Sequence, residues 1–236
     1  MPINYEPIDT TTDVATTRTL LHEVIPLTGT IVSGTYGTFP NDDNIKNYSH
    51  GMFQSVYDYP YLSSSANHIF DLTAGFDESS VLSGSFSSVQ ETKKINMYNQ
   101  FSQVLLGYTG STNRVRLFES DLTLDEDSPM KETIFVNLSR LLTKDEIKKG
   151  SVSIALGTAS WADPFTGVKT FTDAGATENA GTLNTIGGDY GLLSSSTAGV
   201  GGVVFYQAGV MVLTSSIWTG TTDFFSQSGT ARTVDN

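Results

Sequence analysis

The chain has 236 residues, 25 Asp and Glu against 13 Lys and Arg, a net charge of −12 and no cysteine. The missing cysteines exclude disulfides, thiolate nucleophiles and thiolate metal sites. The densest basic group is Lys148-Lys149 with Lys144 just upstream, too little to neutralise nucleic-acid phosphates or to hold an anionic membrane surface.

Residues 1–20 (MPINYEPIDTTTDVATTRTL) carry Pro2, Pro7 and a Thr-rich run without periodicity. They are expected to form an extended N-terminal arm, either a loose terminus or an arm that orders on a neighbouring subunit. No basic region followed by an apolar core opens the chain, so no signal peptide is expected and synthesis in a host cytoplasm is. Residues 21–218 read as a single mainly β domain. It begins with short β-prone pieces, His22 to Ile25 and Thr30 to Ser33, cut by Pro26, Gly29, Gly34 and Gly37. The string FPNDDNIKN (39–47) reads as a polar loop.

In HGMFQSVYDYPYL (50–62), Tyr57, Tyr59 and Tyr61 alternate and would share one strand face, with Pro60 confining that strand to an edge. These three tyrosines are candidate contact residues, because tyrosine is enriched at interfaces. A strand is expected at Ile69–Thr73, ending at Gly75, followed by a Ser-rich turn region at 77–88. The best helix signal lies at 89–106. Ser88-Val89-Gln90-Glu91 forms a capping box, Ile95, Tyr98, Phe101, Ser102 and Leu105 recur at three and four, Met97 and Val104 widen the stripe, and Gly107 supplies the stop.

Glu119, Asp121, Asp125, Glu126 and Asp127 form the strongest charge cluster. Carboxylates suit calcium, but the segment lacks the EF-hand register and its central glycine, and a solvated acidic loop is the expectation. A strand is expected at Ile134–Leu138. A second capping box, Thr143-Lys144-Asp145-Glu146, predicts a short helix ended by Gly150, with Asp145 and Lys149 paired at i,i+4. In SVSIALG (151–157), Val152, Ile154 and Leu156 alternate as in a strand.

Residues 160–200 are rich in Gly, Thr, Ser and Asn and read as a long surface excursion, with short strands at Val168–Thr172 and Tyr190–Leu193. Trp161 and Tyr190 are its candidate contact residues. The run Val203 to Leu213 is the most apolar in the chain, about half the roughly 20 residues that a membrane-spanning helix needs. Its β-branched and aromatic residues predict one or two buried strands, interrupted by a break, bulge or hairpin turn at Gln207 and Gly209. Residues 219–236 form a polar C-terminal tail. The fold class expected is mainly β with one or two helices (α+β): an antiparallel sandwich or barrel-like sheet with the 89–106 helix packed on it.

Catalytic signatures are sparse. His22, His50 and His68 each stand alone, and no nucleophile elbow, Walker or dinucleotide glycine pattern occurs. A paired-carboxylate glycosidase normally adds a Trp-rich groove, and the chain has Trp161 and Trp218 alone. Asn47-Tyr48-Ser49 and Asn137-Leu138-Ser139 match the glycosylation pattern by chance if the chain is not secreted. The expectation is a non-enzyme with no cofactor, no metal ligand set and no catalytic residue.

Three stretches carry a family resemblance: KKINMYNQFSQVLLGY (93–108), LLTKDEIKKGSVSIALG (141–157), and GDYGLL followed by VVFYQAGVMVLTSSIW (188–193 and 203–218). Together they resemble virion structural proteins of marine tailed phages, contractile-tailed cyanophages and their relatives. The resemblance spans roughly residues 65–218 and brings no catalytic residues with it. It implies a structural subunit that acts by protein–protein assembly in the virion, at the tail or baseplate in preference to the head surface. Other virion subunits would be its partners, in a homo-oligomer or ring, without nucleic acid or membrane insertion. The alternatives are a receptor- or glycan-binding fibre component, using the 160–200 loops, or a capsid decoration protein.

Overall fold

The computed structural model describes residues 43–49, 52–83, 88–109, 114–158, 166–177 and 180–218. The expected arm, the strands at 21–39, His50, Trp161 and the C-terminal tail lie outside the described residues, as do the side chains of Ser88 and Gln90.

Ten strands form one antiparallel sheet. In chain order they are β1 (Ile45–Asn47), β2 (Gln54–Tyr57), β3 (His68–Phe76), β6 (Glu132–Leu138), β7 (Ser153–Gly157), β8 (Val168–Thr172), β9 (Thr182–Thr185), β10 (Gly188–Ser195), β11 (Gly199–Phe205) and β12 (Val210–Thr214). Two further strands, β4 (Phe118–Glu119) and β5 (Pro129–Met130), form a small separate ribbon. Among the described residues the spatial order is β1-β2-β3-β6-β12-β11-β10-β8-β7, with β1 and β7 outermost and β9 pairing β10 off this path. The expected mainly β fold with a packed helix is the one seen, and the sheet is open rather than closed into a barrel.

The apolar run 203–213 is the middle of this sheet. Val203, Phe205, Val210 and Val212 enter one core, while Val204, Tyr206, Met211 and Leu213 enter a second core on the opposite face. Successive strand residues point to opposite faces, so a run that is apolar at every position marks a strand covered on both sides. The interruption is a hairpin turn, Tyr206 to Gly209, closed by Gly209 N–H donating to the Phe205 carbonyl at 2.9 Å. Gly209 has φ 71°, the left-handed conformation that favours glycine.

Helix α1 (Ser88–Leu105) covers the first core. Tyr98, Ser102 and Leu105 are buried, whereas Val104, expected in the apolar stripe, is exposed. Phe101 stacks on Phe135 of β6 with centroids 4.2 Å apart. The Tyr98 hydroxyl donates to the Met130 carbonyl at 2.9 Å and accepts from Phe118 N–H at 3.0 Å, so one phenol ties the helix to both strands of the small ribbon. Burial pushes that phenol's pKa well up. The helix approaches β3 closely at Gly75, where a Cβ would lie 2.8 Å from the Tyr98 nitrogen. Gly107, at φ 83°, ends the helix as expected, and the Leu106 and Gly107 amides both donate to the Ser102 carbonyl.

The second core is roofed by the β7–β8 hairpin. Four inter-strand steps separate β12 from β7 in sheet order, about 19 Å if flat. Yet the Trp218 indole, in the 3-10 turn Ser215–Trp218 after β12, donates to the Gly157 carbonyl at 3.0 Å. Lys169 Nζ likewise reaches the Ile217 carbonyl at 3.0 Å. The sheet therefore curls over itself. A bulge on β11 helps: Leu193 pairs Gly202 and Ser194 pairs Val200, leaving Gly201 as the extra residue directly under the fully buried Phe171 ring.

Several expectations need correction. In the 160–200 region the strands expected at Val168–Thr172 and Tyr190–Leu193 are found, as β8 and within β10, but with β9 and the start of β11 they belong to the main sheet and bury Phe171 and Leu193 fully, so the described part is not a surface excursion. The short helix is α2 (Arg140–Thr143), one turn before the expected start. Lys144, at φ 49°, breaks the helix where the capping box was to open it. Lys149 pairs not with Asp145 but with Asp189, at 2.6 Å. The string expected as a polar loop contains β1, and Tyr59 and Tyr61 lie beyond the end of β2.

Candidate functional site

Two surface features stand out from this scaffold. The first is the loop between β2 and β3. Asp58 accepts from the Asn67 amide at 2.6 Å and from its side chain at 2.8 Å, which closes the loop's neck. Desolvation opposes ionisation of Asp58, but these bonds win and hold its pKa below the usual carboxylate value. Buried Asn44 donates through Nδ2 to the Tyr57 and Asp58 carbonyls at 3.1 Å each, and Tyr61 N–H reaches the Asp43 carbonyl at 2.9 Å. The loop is thus pinned to the segment entering β1. Tyr57 packs near Tyr61 and His68, with centroids 6.4 and 5.5 Å away. Tyr59, Tyr61 and Leu62 face solvent at 44%, 37% and 86% exposure. The structure brings Tyr57, the last residue of β2, near Tyr61 in the loop and leaves Tyr59 exposed on that loop, so the three do not share a strand face.

Behind this loop, Ser55 Oγ donates to Asp71 Oδ1 at 2.6 Å and His68 Nε2 meets the same oxygen at 2.8 Å. Ser, Asp and His are all present, but the acid stands in the middle. A nucleophilic triad needs the imidazole on the hydroxyl, so this arrangement orients side chains and does not activate the serine.

Tyr190, the candidate contact residue of the 160–200 region, is buried at 2% exposure, its ring 5.2 Å from Phe205. Its position on β10 points it into the first core, where the hydroxyl donates to the Asp121 and Thr123 carbonyls at 3.3 and 3.2 Å. It shapes the second feature, the acidic turn between β4 and β5. There one oxygen each from Glu119, Asp121 and Asp127 lies within 4.8 Å of the others. Glu119 is 3% exposed; Oε1 accepts from Glu126 N–H at 3.1 Å, and Oε2 has no hydrogen-bond partner among the described residues. Burial first, and then the charges of Asp121 and Asp125, raise the Glu119 pKa. Asp127 is raised through its contact with Asp125, while bonds from Ser128 and Thr123 lower Asp121. Among the described residues no Lys or Arg forms an ion pair with these three carboxylates.

A third polar group is internal. Asp173, fully buried, accepts from Gly150 N–H at 2.7 Å, Val152 N–H at 2.8 Å and the Tyr206 hydroxyl at 3.0 Å. Each oxygen has a donor, which marks a structural clamp holding the 150–152 turn under the central hairpin. Sequence reading missed it, because Asp173-Ala174-Gly175 looks like an ordinary turn.

No helix among the described residues is long and apolar enough to cross a membrane. No protein-family model, curated protein or solved structure matches the chain, so its function is read from its own residues and geometry.

Proposed function

We propose that the protein is a structural subunit of a tailed-phage virion that acts by protein–protein assembly, at the tail or baseplate in preference to the head surface. The observation that carries the assembly reading is the pinned β2–β3 loop. It holds Tyr59, Tyr61 and Leu62 at the surface beside β1, the outermost strand among the described residues. Aromatic side chains on an ordered loop bury large area at small entropic cost when a partner closes on them. The virion assignment adds the resemblance of residues 93–108, 141–157, 188–193 and 203–218 to phage structural proteins. Assembly partners are further virion subunits, including copies of the chain itself.

The fibre reading drew on Tyr190 as a contact residue, and that ring is inside the core. Localisation by cryo-electron microscopy of intact particles tests the proposal: density for the sheet at the tail or baseplate is expected. Absence of the chain from purified particles overturns it. Tyr59→Ala with Leu62→Ser is expected to leave the fold intact while abolishing incorporation into particles. Undiminished incorporation would remove the loop from the interface.

A further inference from the structure

We propose that the turn between β4 and β5 is a divalent-cation site of the calcium class, with Glu119, Asp121 and Asp127 as its protein ligands. The inference is independent of the virion reading. Its first support is convergence: three carboxylate oxygens gather within 4.8 Å of one another. Like charges this close repel, and the repulsion is relieved by taking up a proton or by sharing a bound cation. The second support is Glu119 itself. A side chain 97% removed from solvent keeps one carboxylate oxygen without a donor, and buried polar atoms are otherwise nearly always partnered. A bound cation supplies the missing partner and the missing charge together.

The donors select the metal. All three are carboxylates, hard oxygen ligands that suit calcium or magnesium over zinc or copper. A span of up to 4.8 Å is twice the Ca–O bond of about 2.4 Å, and calcium accepts irregular, flexible sets of ligands and waters. Magnesium demands near-octahedral geometry at about 2.1 Å. Asp121 accepts from Thr123 N–H, Thr123 Oγ1 and Ser128 Oγ. That fills three of about four lone-pair positions of a carboxylate and leaves one for a metal.

The turn is already held in shape. Ser120 N–H donates to the Ser128 carbonyl at 3.0 Å, and Tyr190 fixes the Asp121 and Thr123 carbonyls from below. Asp121, Thr123, Asp125 and Asp127 alternate as do positions 1, 3, 5 and 7 of a calcium loop. Glu126, at φ 69°, adopts at position 6 the sharp turn that glycine makes there. The turn thus shares the spacing of part of a calcium loop without its central glycine, and Glu119 joins from strand β4.

Terbium luminescence excited through tyrosine tests the site, because the Tyr190 hydroxyl touches the loop backbone. The full chain, stripped with a chelator, is titrated with Tb³⁺ and then with Ca²⁺ in competition. Saturable luminescence displaced by Ca²⁺ is expected, with a calcium Kd in the range of roughly 10⁻⁵–10⁻³ M. Glu119→Gln and the surface variant Asp127→Asn should each weaken binding by about tenfold or more. The remote control Asp145→Asn should leave it unchanged. Absence of saturable binding, or wild-type affinity in both ligand variants, overturns the site. Equal displacement by Mg²⁺ overturns the calcium assignment.

Discussion

Replacing Asp173 tests the internal clamp most directly. Asp173→Ala orphans three donors at once: the Gly150 and Val152 amides and the Tyr206 hydroxyl, now 2.7, 2.8 and 3.0 Å from its oxygens. Each buried donor left without a partner costs about 1–3 kcal/mol. Tyr206 is buried, but Gly150 is exposed and Val152 half-buried, so water replaces part of what the two amides lose, and the whole change is about 1–4 kcal/mol, against a total stability of about 5–15 kcal/mol for a domain. The opposing effect is relief of the desolvation cost of a buried carboxylate, which can make its removal neutral or favourable. Geometry decides between them, because this carboxylate has three good donors and an isosteric amide cannot accept from all of them. Asp173→Asn is therefore expected to lose about 1–3 kcal/mol, and Tyr206→Phe, which deletes one donor and leaves the amides satisfied, about 1 kcal/mol. Urea unfolding followed by fluorescence should show lowered midpoints at constant slope. Combining the two substitutions should cost less than their sum, because they share one bond. If Asp173→Asn is as stable as the wild type, desolvation outweighs the hydrogen bonds and the clamp reading fails.

Gly75→Ala would place a Cβ 2.8 Å from the Tyr98 nitrogen and 3.1 Å from the Phe135 ring, so α1 must lift from β3. A loss of about 1–3 kcal/mol is expected in thermal or urea melts, and a change under about 0.5 kcal/mol would show that the helix has room to spare. Gly191→Ala strikes the Tyr206 hydroxyl oxygen. Its cost should shrink in a Tyr206→Phe background, and an equal cost in both backgrounds would refute the clash. On α1, Val104→Gln should change stability by less than about 0.5 kcal/mol, while Leu105→Ala one residue on should cost about 2–5 kcal/mol. Comparable losses at both positions would mean the helix is rotated from the orientation described.

The parts of the fold that sequence reading reached are those governed by local rules. A continuous apolar run with Gly209 near its middle reads as two strands and a turn, and α1 announces itself through periodicity and Gly107. The misses come from partners that local rules cannot see. β1 is a strand because β2 offers it a ladder, not because Ile45-Lys46-Asn47 favours one. The inward direction of Tyr190 depends on the register of β10 against β11, and a shift of one residue would turn it outward. Thr143 fits a capping box, yet it closes α2 instead and packs its side chain beneath Gly209. For the acidic turn, Glu119 reads like its neighbours until β4 pairs β5 and buries it. The residue that gives the turn its chemistry is the one whose environment is least local.

The distribution of these features bears on how the functional reading can fail. The stretches on which the proposed virion reading rests coincide with α1, the segment from α2 to β7, and β10 to β12, which together line both cores. A likeness of that kind speaks to how the chain folds. Tyr59, Tyr61 and Leu62, and the carboxylates Glu119, Asp121 and Asp127, lie outside those stretches. The contact loop and the cation site are therefore claims about this chain's own surface, and each stands or falls by a measurement that leaves the core untouched. A chain that folds as described, binds calcium and is missing from particles would keep the site and lose the virion. One that enters particles only with the β2–β3 loop intact, and ignores calcium, would do the reverse.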